Sequence, residues 1–177
     1  MDNQQEILTD SEAGWLAGII EGDGYITIIT QKNAKVKRNS GLVVAPKIGI
    51  TNQDGLIIER ASDLFKKLGA SGIWLVTEKA KDCSHKINAD ILHLSTARIS
   101  ACYKILIMIL PHLAGQKAGR ARLLLKFVES RLAHKHFPYN ADELQIIKQF
   151  VEMYPTWRRN KGLEKFLNDY TPGTEGS

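Results

Sequence analysis

The chain has 177 residues and a mass of 19.8 kDa, which suits one domain with a sizeable core and is short for two independent domains. Its 44% hydrophobic and 24% charged residues are ordinary for a globular protein and argue against general disorder. A formal charge of +5 favours a polyanionic partner without requiring one, and no apolar run approaches the ~20 residues of a membrane span.

Cysteine content and the first residues narrow the class further. Cys83 and Cys102 have no spacing typical of a zinc site or a disulfide framework, so we expect a reducing compartment. The opening MDNQQE is acidic and polar, unlike a secretory signal or an arginine-rich transit peptide. We therefore expect a soluble protein without a targeting signal and with a disordered tail over residues 171–177.

The first predicted helix begins at residues that cap helices. Thr9, Asp10 and Ser11 offer N-cap oxygens, and Glu12 stands close behind them, before a run with helical spacing over residues 13–20. The sequence therefore predicts a helix start here.

The same helix carries features that disfavour a helix. Gly14, Gly18 and Gly22 recur at four-residue spacing and together cost roughly 2–3 kcal/mol of helix propensity. Glu21 and Asp23 fall in the last turn, where the helix dipole disfavours each carboxylate by about 0.3–1 kcal/mol. Such breaks of local rules are typical of functional sites.

The pattern after this helix changes to a period of two, which predicts a hairpin. One strand follows Gly24, a loop rich in lysine and asparagine covers residues 32–40, and a second strand covers residues 41–51. Pro46 predicts that the second strand is irregular or lies at an edge.

The rest of the chain continues with alternating helices and strands. Helices are predicted at 55–68, 97–110, 116–133 and 141–153, and strands at 72–78 and 89–94. Two hairpins with helices between them indicate an α+β fold, in which helices cover one face of an antiparallel sheet. The other face is then free, and one set of strand residues suits hydrogen bonding to base edges: Thr27, Gln31, Lys47, Thr77 and His93.

Basic residues occur in two blocks without acids. The first block, between Asp23 and Asp54, holds Lys32, Lys35, Lys37, Arg38 and Lys47. The second block holds Lys117, Arg120, Arg122 and Lys126. Blocks of one sign point to a surface that meets phosphate, and the alternative is a pair of solvated faces.

Small residues form a stripe along the first helix, comprising Ala13, Gly14, Ala17, Gly18 and Gly22. Without side-chain bulk, another backbone can approach closely there. If the partner is the same helix of a second copy, symmetry brings Glu21 and Asp23 of both copies together. Converging carboxylates need cations, and their hard oxygens suit Mg²⁺.

The run LAGIIEGDG, residues 16–24, closely resembles the signature of the LAGLIDADG homing endonucleases. The element order over about residues 10–133 also resembles the αββαββα unit of that family. The resemblance implies an antiparallel saddle-shaped sheet in the DNA major groove. Helical spacing beyond that unit predicts a C-terminal helical extension over about residues 134–170. It also implies divalent metals at the ends of the motif helices.

The resemblance implies roles for individual residues. Asp23 matches the acidic metal ligand, and Gly22 matches the residue whose carbonyl faces the metal. Asn52, or Gln53 beside it, matches the amide that orders the hydrolytic water. Lys117 resembles the basic residue near the scissile phosphate.

A single copy of the motif implies a homodimer. The motif helices of the family form the dimer interface, which here implies Gly14, Leu16, Ala17, Gly18 and Glu21. Leu113, Ala114 and Gly115 echo the start of the motif, but no acid follows them. Paired half-sites would then read a long, partly palindromic duplex.

We therefore expect a site-specific endonuclease that uses Mg²⁺, or another divalent cation such as Mn²⁺, to make double-strand breaks in DNA. Two alternatives on the same scaffold lack cleavage: an intron RNA maturase and a DNA-binding regulator. A third alternative is an unrelated α+β domain with a fortuitous match. The resemblance implies an intron-encoded protein that acts in intron homing within a chloroplast or mitochondrion, or in the archaeal cytoplasm.

Overall fold

The computed structural model describes residues 7–33, 41–80, 89–134, 138–153 and 160–170. The elements are α1 (Asp10–Asp23), β1 (Gly24–Lys32), β2 (Leu42–Asn52), α2 (Gly55–Lys67), β3 (Ile73–Glu78), β4 (Ile91–Thr96), α3 (Ile99–Ile109), α4 (Gly115–Ala133), α5 (Ala141–Glu152) and α6 (Lys161–Asp169). A 3-10 turn, Leu110–His112, joins α3 to α4. The predicted α+β class and the order helix, hairpin, helix, hairpin, helix are confirmed.

A capping box starts α1, as the sequence predicts. The Thr9 hydroxyl accepts from the Glu12 N–H at 3.2 Å, and the Glu12 carboxylate accepts from the Thr9 N–H at 2.8 Å. Lys67 of α2 donates to both Glu12 oxygens at 2.9 Å. The Thr9 N–H first, and then Lys67, hold the pKa of Glu12 below its ordinary value.

The four strands form one antiparallel sheet in the order β1-β2-β4-β3. The inner face is buried beneath the helices, and it carries Ile26, Ile28, Ile48, Ile50 and Leu94, all at 0% exposure. Strand alternation assigns the opposite residues to the other face, called the open face below. The open face carries Tyr25, Thr27, Ile29, Gln31, Lys47, Thr51, Trp74, Val76, Glu78, His93 and Ser95.

Thr77 is a correction to the predicted open face. It pairs with Leu92, and therefore shares the inner side with Leu92 and Leu94, whereas Val76 pairs with His93. Since the face changes at every residue of a strand, an error of one residue in parity moves a side chain to the opposite side. Trp74, Val76 and Glu78 are the residues of β3 on the open face.

Pro46 lies in β2 where the strand lacks a neighbour on one side. β1 pairs with β2 through Leu42, whereas β4 pairs only with residues 48–52. Tyr139 bonds the N–H and the C=O of Val44 on the side away from β1. By the period of two, Pro46 points its nitrogen to that same side, where no N–H is needed. The predicted edge character of Pro46 therefore holds on this side only.

The C-terminal helices pack onto the same core as the sheet. The buried apolar cluster runs from Leu8 to Phe166 and includes Phe65, Phe127 and Phe150. Cys102 is buried and unpaired, and burial raises the pKa of its thiol to about 12. Within the described ranges, no helix combines the length and apolarity that a membrane crossing requires.

Candidate active site and nucleic-acid interface

The motif places an aspartate beside an amide at the joint between α1 and the sheet. Asp23 ends α1 and Asn52 ends β2, and the Asn52 Nδ2 donates to the Asp23 Oδ2 at 2.7 Å. The Asn52 Oδ1 in turn accepts from the N–H of Asp54 at 2.8 Å, which fixes the direction of the amide. Gln53, the neighbouring candidate, is exposed. Of the two candidate amides, the structure thus brings Asn52, which has the shorter side chain, into contact with Asp23.

Lys117 compensates the negative end of α1. It lies in the first turn of α4, and its ammonium donates to the carbonyls of Ile20 at 2.8 Å, Glu21 at 2.6 Å and Gly22 at 3.3 Å. A cation on the last carbonyls of a helix offsets the dipole that disfavours Asp23. Desolvation lowers the pKa of Lys117, and the charges of Glu21 and Asp23 oppose that shift.

The carboxylate of Glu21 also faces α4. Its Oε2 is buried and has no hydrogen-bond partner among the described residues. Its Oε1 lies 3.4 Å from the position that a Cβ on Gly115 would occupy, at the first residue of α4, where φ is +62°. The negative end of the α1 dipole thus meets the positive end of the α4 dipole, and these opposite partial charges attract each other.

The motif helix exposes only part of its small-residue stripe. Among the described residues, and apart from the neighbouring backbone of α1 itself, nothing lies within 4 Å of a Cβ built at Gly18 or Gly22, whereas one at Gly14 meets His112 at 3.7 Å. Leu16 and Ala17, expected at a dimer interface, are both 0% exposed. Their side chains are packed in the protomer's own core because α1 lies under the sheet, so that expectation is corrected.

The β1–β2 half of the open face combines a cation with an aromatic ring. The Lys47 Nζ lies 5.5 Å from the centre of the Tyr25 ring. That ring occupies the space above Gly49, where any side chain would collide with it. Thr27 is half-buried, and Gln31 and Lys32 are exposed at the far end of β1.

The β3–β4 half of the open face carries groups that the sequence analysis missed. His93 lies between two polar side chains, with Nδ1 at 3.2 Å from Thr51 Oγ1 and Nε2 at 3.1 Å from Glu78 Oε2. Trp74 and Val76 are 67% and 55% exposed. Trp74 and Val76 lie on the same face as His93 because Val76 pairs with His93. The long loop between β3 and β4 hides this pairing in the sequence.

The predicted basic residues differ in placement. Lys35, Lys37 and Arg38 lie outside the described residues. Arg120 lies one turn after Lys117 on α4, close enough to lower the pKa of that lysine. Arg60, on α2, stacks over Trp15, with its Cζ 4.3 Å from the centre of the ring. Leu56, one turn after Asn52, is 75% exposed.

The end of α1 offers oxygen ligands, which are the type that a hard divalent cation prefers. Mg²⁺ is bound through one or two carboxylates together with waters and substrate phosphates. Asp23 is exposed and supplies one carboxylate. Over the described ranges of one chain, no three His, Cys, Asp or Glu side chains cluster.

Comparison with known proteins gives the fold its family. The homing endonuclease I-TnaI is 18% identical, over 91% of this chain and 97% of that chain, with a TM-score of 0.63. The homing endonuclease I-CvuI, in complex with its target, is 16% identical over 90% and 92%, with a TM-score of 0.62. The LAGLIDADG homing endonuclease I-GzeII, in complex with a DNA target, is 13% identical over 93% and 52%, with a TM-score of 0.57.

Sequence comparison matches the chain to no family profile and to no curated protein. The resemblance in structure covers nine-tenths of the chain. The fold of this chain is that of the LAGLIDADG homing endonucleases.

Proposed function

We propose that this protein is a metal-dependent, site-specific DNA endonuclease that acts as a homodimer. The observation that carries the proposal is the pairing of Asp23 with Asn52 at 2.7 Å, at the exposed end of the motif helix. The helix dipole disfavours a carboxylate at a helix C-terminus, and such a break of a local rule is typical of a functional site. Homing endonucleases with this fold have been crystallised with DNA, which supports the same substrate here.

The residues at the end of α1 divide the chemistry among them. Asp23 binds the cation, the Asn52 amide holds the Asp23 carboxylate in place, and Lys117 adds positive charge beside the reacting phosphate. A bound Mg²⁺ or Mn²⁺ supplies the Lewis acidity that activates water and stabilises the leaving 3′ oxygen. Because the 3′ oxygen is the leaving group, cleavage leaves 5′ phosphate ends. The Gly22 carbonyl stays a proposed ligand and accepts from Lys117 at 3.3 Å here.

The open side of α1 supports the proposed dimer. One chain supplies one Asp23, and a second copy on the Gly18 and Gly22 side would bring a second Asp23 to the same place. This chain covers 92% of I-CvuI but only 52% of I-GzeII, so the same fold matches half of a longer endonuclease. Two copies of the present chain would supply a comparable length.

The open face would lie against the duplex. Lys32, Lys47 and Arg120 would neutralise phosphates, together with Lys35, Lys37 and Arg38, while Thr27 and Gln31 contact base edges. Affinity should then fall steeply with salt, since each neutralised phosphate adds about −0.9 to the logarithmic salt slope. A flat salt dependence would contradict this placement.

The deciding experiment is selection of cleaved sites from a randomised duplex library, with Mg²⁺ and with EDTA. Wild type should cut discrete sites only with Mg²⁺, and Asp23→Asn should bind these sites without cutting them. Asp63→Asn is the matched control, because Asp63 lies on the exposed side of α2, where it pairs with Lys66 at 2.9 Å. Full cleavage by Asp23→Asn would refute the metal assignment. Binding without cleavage by wild type would favour a regulator or maturase, to be tested on intron RNA.

A separate variant tests the dimer. Gly18→Leu has room in the monomer because no described residue outside the neighbouring backbone of α1 comes within 4 Å of its Cβ, so the chain should fold. If the second copy packs on this side, the variant should be monomeric in sedimentation while wild type is dimeric. Gly119→Leu, at a position on α4 with the same free space, should remain dimeric. A dimeric Gly18→Leu protein would move the interface elsewhere.

A further inference from the structure

A carboxylate at the end of the edge strand β3, on the open face, opposes the charge of its surroundings. Glu78 lies on the same face as Lys47, in a chain of net charge +5, where the duplex would bring phosphates close. A carboxylate can only accept hydrogen bonds, so it repels phosphate oxygens and has no use as a phosphate contact. The Glu78 side chain is 45% exposed, so on this face it can meet a donor on a DNA base but is repelled by a phosphate.

The orientation of this carboxylate is set by two other strands. The Nε2–H of His93 in β4 donates to Glu78 in β3, because Glu78 has no proton to give. In the neutral ring, Nδ1 then accepts the hydroxyl proton of Thr51 in β2. Hydrogen bonding thus fixes the ring tautomer and links three neighbouring strands in one polar chain, here called the Thr51–His93–Glu78 chain.

We propose that Glu78 reads a cytosine in the major groove, and that His93 and Thr51 are positioning residues that aim its carboxylate. The inference rests on the proposed DNA-binding function. On its own major-groove edge, cytosine presents the N4 amino donor and no acceptor. Adenine has an amino donor next to the N7 acceptor, which repels a carboxylate. Guanine presents O6 and N7, and thymine presents O4, all of which are acceptors.

Replacing the carboxylate by an amide changes which base is favoured. Gln at position 78 keeps the shape of the side chain and adds two donors, so it can pair with both N6 and N7 of adenine. At a single position in each half-site, wild type should therefore prefer cytosine and Glu78→Gln should prefer adenine. The other positions should be unaffected because their contacts lie elsewhere on the sheet.

The test is selection of bound duplexes from a randomised library with wild type, Glu78→Gln and the control Glu152→Gln. Glu152 carries the same substitution at an exposed site on α5, where its carboxylate lies 3.9 Å from Lys148. At one position of each half-site, wild type should prefer cytosine over the other bases by about 5- to 150-fold, and Glu78→Gln should lose that preference. A profile unchanged in Glu78→Gln overturns the proposal.

The positioning role has its own readout. His93→Gln retains an N–H near the place of Nε2 and should keep the cytosine preference, whereas His93→Leu should weaken it at the same position. Equal profiles for the two variants would remove His93 from the mechanism. If wild type selects no duplex at all, the DNA-binding function fails. If it selects duplexes but shows no cytosine position that responds to Glu78, only the present inference fails.

Discussion

Two carboxylate–asparagine clusters in this protein have opposite character. At the end of α1, Asp23 is exposed and accepts a hydrogen bond from Asn52. At the start of α5, Glu143 is 0% exposed and accepts from Ser130, from Arg131 and from the N–H of Asn140. The second carboxylate is satisfied by the protein itself, and the first has capacity left for a ligand.

Helix direction separates the two clusters as well. Glu143 lies in the first turn of α5, where the dipole favours an anion, and it forms a capping box with Asn140. Asp23 lies in the last turn of α1, where the dipole disfavours an anion, and Lys117 of α4 offsets that effect by donating to the last carbonyls of α1. The comparison teaches that a carboxylate kept at an unfavourable place is the better candidate for function.

The strongest way to break this comparison is to remove the buried carboxylate. Glu143→Ala leaves the Arg131 guanidinium, 8% exposed, without its carboxylate partner inside the protein. The free energy of unfolding should fall by about 3–5 kcal/mol, measured by urea denaturation. Glu152→Ala, on the exposed side of the same helix, should stay within about 0.5 kcal/mol of wild type. Equal losses in the two variants would show that burial does not set the difference.

A second change tests whether Lys117 serves structure as well as chemistry. Lys117→Met removes the cation from three carbonyls of α1 and leaves the Glu21 and Asp23 charges uncompensated. The free energy of unfolding should fall by up to about 2 kcal/mol. Cleavage should fall by about 10²- to 10³-fold, more than the lost stability explains.

The matched variant is Lys126→Met, an exposed lysine on the same helix, whose stability should stay near that of wild type. Stability and cleavage are read from the same protein samples, by denaturation and by single-turnover cutting. A Lys117→Met protein that is less stable but cuts normally would make this residue a helix cap alone.

Local signals in the sequence predicted the elements correctly. The Thr9 cap with Glu12, and the change from helical spacing to a period of two after Gly24, depend on neighbours in the chain. The α+β layering followed because consecutive elements pack together. Boundaries were less exact, since β4 begins at Ile91 and α3 at Ile99 rather than at 89 and 97.

Long-range placement could not be predicted. Lys117 meets the carbonyls of Ile20 and Glu21 across nearly a hundred residues, and no local pattern encodes that contact. The parity of β3 was missed because this edge strand is exposed on both faces, so polarity does not mark its inner side. Leu16 and Ala17 were misplaced because a motif implies a helix face, whereas only the packed structure shows what that face touches.

The smallest expected effect is also the sharpest test of the comparison. Asp23→Asn removes an anion from the negative end of α1, which should raise the free energy of unfolding by about 0.3–1 kcal/mol while cleavage is lost. The control Asp63→Asn loses an exposed pair with Lys66 and should destabilise by at most about 0.5 kcal/mol. If Asp23→Asn instead destabilises the chain as Glu143→Ala does, the Asp23–Asn52 pair holds the sheet to α1. The exposed cluster would then be structural, and the carboxylate that binds the cation would have to be sought elsewhere.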